Sequence, residues 1–150
     1  KQASLSTPFG DLTPTEEDGA ITALGWGQAA RQDRSDLLDA ALRQLKEYAT
    51  GERQSFDLPL RVMGSDFQRA VCTAILAIPF GHTRTYGEIA RDLGVPAQAV
   101  GGACGGNPIP VIIPCHRVMG AKGLTGFSGA GGVETKVALL RHEGAAGLLI

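Results

Sequence analysis

Thr85-Tyr86-Gly87-Glu88-Ile89-Ala90-Arg91-Asp92-Leu93-Gly94-Val95-Pro96-Ala97-Gln98-Ala99-Val100-Gly101-Gly102-Ala103-Cys104 is the stretch whose reading decides the fold. Thr85 and Glu88 have the spacing of a capping box, in which the hydroxyl covers an orphan N–H and the glutamate reaches back. The helix they open carries Ile89, Ala90 and Leu93 along one side, and Gly94 closes it. Pro96 suits the first position of a second helix running to about Cys104. Two short helices around a tight glycine-containing turn predict a helix-turn-helix.

The second helix is chemically unusual. It has no charge and almost no side-chain bulk. Gly101 and Gly102 each cost roughly 1 kcal/mol relative to alanine in a helix interior. Close approach of another surface is the usual reason to accept that. Two surfaces qualify. A smooth helix suits the narrow minor groove of DNA, where the single Gln98 offers little base reading. The alternative is tight packing against another helix inside the protein.

Downstream lies Asn107-Pro108-Ile109-Pro110-Val111-Ile112-Ile113-Pro114-Cys115-His116-Arg117-Val118. The β-branched run Val111 to Ile113 predicts a short buried strand. Pro114 stops the ladder, having no N–H to donate. That places Cys115 at the lip of a rigid core, beside His116. A supported thiol next to a histidine is a candidate nucleophile; an ordinary small core residue is the alternative. The glycine-rich segment 120–132 follows, suited to wrapping a flat ligand or simply flexible. Val133 to Glu143 then reads as a closing helix with Val137, Leu139 and Leu140 on its buried side, and Gly144 ends it.

Upstream, Ser65 with Gln68 forms another expected capping box. Its helix carries Phe67, Ala70, Val71, Ala74, Ile75 and Ile78 and stops at Pro79-Phe80-Gly81. Before that, Pro8 to Leu12 and Gly19 to Leu24 read as strands joined by the turn around Glu16-Glu17-Asp18-Gly19. A helix from Ser35 carries Leu38, Leu42 and Leu45 and ends at Gly51. The expected fold class is therefore α+β. A small N-terminal domain over 1–58 has antiparallel strands and a helix. A helical C-terminal domain over 59–150 holds the helix pair and the short strand leading to Cys115.

Composition bounds the function. The net charge is −1, which argues against a strongly basic nucleic-acid binder. Yet residues 1–60 hold six basic and ten acidic side chains, while 61–126 hold six basic and three acidic, a local excess of +3. The central part can therefore meet a phosphate backbone. Cys72, Cys104 and Cys115 form no CxxC pair and no disulfide framework, and His82, His116 and His142 add no zinc spacing. No apolar run approaches the ~20 residues that span a bilayer. With no leader pattern at the N-terminus, a reducing cytoplasm is the expected compartment.

The run Ala99-Val100-Gly101-Gly102-Ala103, then Asn107-Pro108, then Ile113-Pro114-Cys115-His116-Arg117-Val118, and finally Leu139-Leu140-Arg141-His142-Glu143-Gly144 closely resembles the O6-alkylguanine-DNA alkyltransferases. The likeness covers about residues 56–144, and more weakly the N-terminal part. It implies direct, irreversible transfer of an alkyl group from the O6 of guanine to a cysteine, after the base is flipped out of duplex DNA bound through its minor groove. The protein would be consumed in one turnover, act as a monomer, and need no cofactor or metal. By resemblance, Cys115 is the acceptor and His116 the base acting through a water. Glu143 orients the histidine, Asn107 hydrogen-bonds near the active-site turn, and Tyr86 rotates the nucleotide and protonates the departing base. Thr85, Tyr86, Gln98, Ala99, Gly101, Gly102 and Arg117 would meet DNA. Cys104, Pro110, Val118, Gly126, Phe127 and Ser128 would line the guanine pocket. Three features depart from the family pattern: Gln98 stands where an arginine is usual, the turn before it is shorter, and Phe127 replaces a common tyrosine.

The chemistry fits independently. Only a few per cent of a cysteine with a pKa of about 8.5 is thiolate at neutral pH, and a paired histidine raises that fraction. Neighbouring side chains on an extended chain point to opposite faces, so Cys115 and His116 need a water relay or a bend after Pro114. Glu143, at the end of an apolar-striped helix, is a plausible orienting acid. A structural His116–Glu143 ion pair is the alternative. At the level of function, two other readings stand beside alkyl transfer: a non-catalytic sensor of alkylated DNA, and a thiol hydrolase or redox protein using the same three residues.

Overall fold

A computed structural model describes residues 1–120 and 132–145. The chain divides into two compact units, Lys1–Met63 and Gly64–Ile150. No helix among the described residues is long and apolar enough to cross a membrane.

The first unit is a three-stranded antiparallel sheet and one helix. Strands β1 (Leu5–Thr7), β2 (Gly10–Glu17) and β3 (Ala20–Trp26) lie in that order. The tight turn after β2 is made by Asp18 and Gly19, both at positive φ (49° and 79°), the conformation favoured in two-residue hairpins. The sequence reading missed β1 and began the next strand at Pro8. Pro8 and Phe9 in fact turn the chain between them, with the Thr7 hydroxyl accepting from Phe9 N and donating to Gly10 O. Helix α1 (Asp36–Ala49) starts where expected, the Ser35 hydroxyl accepting from Leu38 N at 3.0 Å. Its buried Leu38, Ala41, Leu45 and Tyr48, with the buried Leu12, Ile21 and Leu24 of the sheet, make up the apolar core of this unit. Residues 59–61 lie along β3, with Ile21 N donating to Pro59 O and Arg61 N donating to Ile21 O.

The second unit holds α2 (Asp66–Leu76), a two-residue strand β4 (Arg84–Thr85), α3 (Tyr86–Leu93), α4 (Ala97–Gly105), a single 3-10 turn Cys115–Arg117, β5 (Val118–Met119) and α5 (Val133–Glu143). The expected capping box at Thr85 and Glu88 forms in full. Gly94 closes α3 in the left-handed conformation, φ 68°. Pro96 is the N-cap of α4 rather than its first residue. The Ser65 box forms only half. Its hydroxyl accepts from Gln68 N, but the Gln68 side chain turns away and donates to Ala103 O of α4 at 2.8 Å. A buried helix-end carbonyl is a better partner than a cap already in water.

One expectation about the centre of this unit changes. Val111–Ile113 is not a ladder strand. Ile112 N donates to Pro110 O and Ile113 N to Ile109 O, so the chain coils through consecutive tight turns. Val111 sits at φ +70°, an outlier for a β-branched residue that costs on the order of 1–3 kcal/mol. Periodicity could not separate a buried strand from a buried turn in so short an apolar run. The alternative of tight packing for the α4 glycines is not met among the described residues: a Cβ built on Gly101, Gly102 or Gly105 would meet none of their atoms within 4 Å. The face they form opens outward.

Candidate active site

Asn107 builds the site. Its Oδ1 accepts from Ile109 N at 3.0 Å and its Nδ2 donates to Ile113 O at 2.8 Å, both buried. The amide thus staples the two ends of the turn that holds Val111 in its strained conformation. Pro114, at φ −81° and ψ 66°, then makes an inverse γ-turn, with Cys115 N donating to Ile113 O. This sharp bend directs Cys115 inward. Its residue is only 3% exposed, so it lies within the core and not at an open lip. Asn107→Ala is expected to destabilise the protein by roughly 2–4 kcal/mol, because it removes two buried hydrogen bonds and orphans the Ile109 N–H. A fall in the urea midpoint at unchanged slope would register this. An unchanged midpoint would show that the turn holds itself.

His116 is fully buried, with Nε2 2.7 Å from Glu143 Oε2. The carboxylate accepts, so Nε2 carries the proton and Nδ1 is left as a lone-pair acceptor. Nδ1 is the single buried side-chain nitrogen or oxygen among the described residues without a hydrogen-bond partner. Burial pushes the imidazole pKa down, against the pull of Glu143. A neutral ring with a free basic nitrogen is the resting state.

Burial likewise pushes the Cys115 thiol up, while the Asn107 amide and the Lys136 ammonium oppose it. Cys104, also buried, is pushed up to about 12 by burial and then by the Cys115 charge. Cys72 is raised by burial as well. Of the three cysteines, Cys115 alone adjoins a histidine base.

Lys136 was invisible to the sequence reading. It is completely buried on α5, donates to Val118 O at 2.6 Å, and lies 5.8 Å from the Tyr86 ring centroid. Burial pushes its pKa down, and the Cys115 and Cys104 thiols pull it back. The one available signal was a lysine within the apolar stripe of that helix. Arg117 also needs correction. It was expected on DNA, but it is 6% exposed, and its Nε and Nη2 donate to Glu143 Oε1 and Oε2 at 2.8 and 3.0 Å. Its Nη1 donates to Ile78 O beyond the end of α2, at 2.7 Å. A guanidinium engaged on all three sides cannot also reach a phosphate.

The remaining expected residues separate into groups. Tyr86 is half-buried at the start of α3, and the Thr85 hydroxyl is occupied in capping. Gln98 and Gly102 are exposed on α4, with Ala99 and Gly101 partly so. Pro110 and Val118 are buried beside the active-site turn. Parallel pairing of β4 with β5 sets Arg84 opposite Val118 and Thr85 opposite Met119, which ties the start of α3 to the segment after Cys115. Gly126, Phe127 and Ser128 lie outside the described residues.

The model of the 6-O-methylguanine DNA methyltransferase DNA binding domain matches residues 66–145, and that of the family's ribonuclease-like domain matches residues 1–62. The chain belongs to the 6-O-methylguanine DNA methyltransferase family. A methylated-DNA–protein-cysteine methyltransferase of Mycobacterium bovis is 53% identical over 150 residues, covering 93% of this chain and 90% of that protein. The constitutive enzyme of Bacillus subtilis is 39% identical, covering 93% of each. Among solved structures, the Mycobacterium tuberculosis OGT in complex with DNA superposes with a TM-score of 0.85 at 41% identity, over 95% of this chain and 92% of that one. The family expected from the Pro114-Cys115-His116-Arg117-Val118 core is therefore the family found, and the small antiparallel sheet followed by a helical half is its fold.

Proposed function

We infer that this protein repairs DNA by moving a methyl group from the O6 of guanine onto Cys115. The observation that carries the reading is the buried, unpartnered Nδ1 of His116, one residue from a buried thiol, with its tautomer set by Glu143. A buried, neutral imidazole whose Nδ1 has no protein partner among the described residues is arranged to accept a proton. A water between Nδ1 and Sγ would pass the thiol proton to the imidazole. The thiolate then attacks the methyl carbon, the S–C bond forms as the C–O bond breaks, and the electron pair leaves on the guanine O6. Tyr86, beside the Lys136 ammonium, would supply the proton that neutralises the departing base. A thioether is neither acidic nor easily displaced, so the protein reacts once.

The outward face of α4 favours DNA docking through the minor groove; Gln98 on that helix would enter the base stack, and the protein would act as a monomer. The intact Cys115–His116–Glu143 set disfavours the lesion-sensor reading. Substituting Gly101 and Gly102 by alanine is expected to raise the stability of the free protein by roughly 0.5–1 kcal/mol each, through helix propensity. The same two methyl groups should weaken duplex binding about tenfold, or ~1.4 kcal/mol, by intruding on the groove. Thermal melts and fluorescence anisotropy measure the two effects. A loss of stability would place this face in a protein interior instead.

The activity itself is tested by incubating the protein with a duplex carrying a single O6-methylguanine. One lesion should be lost per protein molecule, with none thereafter. Continued turnover, or no loss at all, would refute the reading.

A further inference from the structure

Glu143 serves two partners on one atom. Its Oε2 accepts from His116 Nε2 at 2.7 Å and from Arg117 Nη2 at 3.0 Å, while Oε1 accepts from Arg117 Nε at 2.8 Å. The guanidinium is itself fixed from the far side by Ile78 O and lies over the Phe80 ring, 5.8 Å from its centroid. The carboxylate therefore cannot rotate, and its charge is shared between a cation and a neutral ring.

We propose that Arg117 is a positioning residue for the transfer reaction: it fixes the Glu143 oxygen that meets His116 Nε2–H and draws that carboxylate's charge away from the imidazole. The proposal rests on the reading of His116 as the proton acceptor. A carboxylate bound only to a histidine stabilises the imidazolium, which has no lone pair on Nδ1 and cannot act as a base. With a guanidinium on both of its oxygens, the same carboxylate still orients the ring but stabilises the imidazolium less. The groups that bear on His116 are Glu143 and Lys136 from α5 and Arg117 from its own turn; Glu143 favours the protonated form, and burial, Arg117 and Lys136 oppose it. Arg117 thus keeps the base available, and the Lys136 ammonium acts in the same direction.

Two substitutions separate orientation from charge. Arg117→Gln keeps hydrogen bonding to one carboxylate oxygen and removes the charge. Arg117→Lys keeps the charge and loses the two-pronged grip. Single-turnover transfer by each variant should be followed from about pH 6 to pH 8.5, with ring-nitrogen NMR of labelled histidine in the DNA-free protein. For Arg117→Gln, removing the cation raises the His116 pKa. Protonation then sets in at higher pH, so the acid limb of the transfer profile should move to higher pH than in the wild type, with transfer lost toward pH 6 and recovered as pH rises. The His116 nitrogens should titrate across the same range. For Arg117→Lys, His116 should stay neutral with its proton on Nε2, and transfer should fall by a similar factor at every pH. Equal, pH-independent losses in both variants, with unaltered His116 spectra, would reduce Arg117 to a structural ion pair and overturn the proposal. Should Arg117→Gln not fold, Arg117→Met, which removes the charge and fills the space with an apolar chain, takes its place: a His116 titration moved to higher pH would uphold the proposal, and an unaltered one would overturn it. The NMR readout needs no DNA. A wild type that transfers no methyl would refute the functional reading, while the state of His116 would still decide the role of Arg117.

Discussion

Cys115→Ser is expected to abolish methyl transfer, by at least about 10⁴-fold, while duplex binding stays close to that of the wild type. Thiolate is the nucleophile here, and a serine hydroxyl is essentially un-ionised at neutral pH even with a histidine to receive its proton. The substituted atom is buried, at 3% residue exposure, so it adds nothing to a groove-facing surface. A hydroxyl in that position costs on the order of 1–3 kcal/mol if it finds no partner. Cys115→Ala, which leaves a small void instead, serves as the folding control. Transfer is read by loss of the methylated base in a single-turnover assay, and binding by anisotropy. If both variants failed to bind DNA, the cysteine would be a structural core residue, the plain alternative for any buried free thiol.

The second large effect is expected at Glu143. Its carboxylate answers a buried guanidinium and a buried imidazole together. Removing it with Glu143→Ala strands both, and breaking a buried pair by deleting one partner costs about 3–5 kcal/mol. The chemistry should suffer beyond the stability, by about 100-fold or more, because a carboxylate bonded to the far nitrogen of a working histidine fixes its tautomer and direction. Glu143→Gln separates the two losses. Its amide oxygen can still accept one hydrogen bond, but it brings no charge to Arg117 and offers an N–H₂ where an acceptor is needed. It should recover part of the stability and little of the transfer. Urea unfolding and single-turnover rates give the comparison. A drop in stability below 1 kcal/mol for Glu143→Ala would mean that the network is held by other groups.

Much of the fold was legible because its signals are local. Ser35, Thr85, Gly94 and Gly144 act on the N–H and C=O groups of their own helices, so spacing alone locates them. The acceptor and its partners were legible for another reason. The adjacency of Cys115 and His116, and a glutamate at the end of a helix with an apolar stripe, are patterns that few structural demands produce. What sequence could not disclose depends on partners distant along the chain. Gln68 has the sequence spacing of a cap, yet it reaches Ala103, 35 residues away. Val111 to Ile113 has the composition of a strand, but Asn107 folds it into turns by bonding Ile109 and Ile113. Arg117 was assigned to DNA because it is charged and next to the site. Only the arrival of Glu143, 26 residues later, makes it an interior group. Lys136 inverts the usual expectation, since a lysine in an apolar stripe normally snorkels outward, and here it is fully buried on Val118 O.

The most direct test of the central claim is the mass of the peptide containing Cys115 after the protein is incubated with duplex DNA carrying O6-methylguanine. That peptide should gain one methyl group in place of a hydrogen, in step with loss of the lesion, while the peptides holding Cys72 and Cys104 stay unchanged. Loss of the lesion with an unmodified Cys115 peptide, or methyl found on either of the other cysteines, would contradict the account.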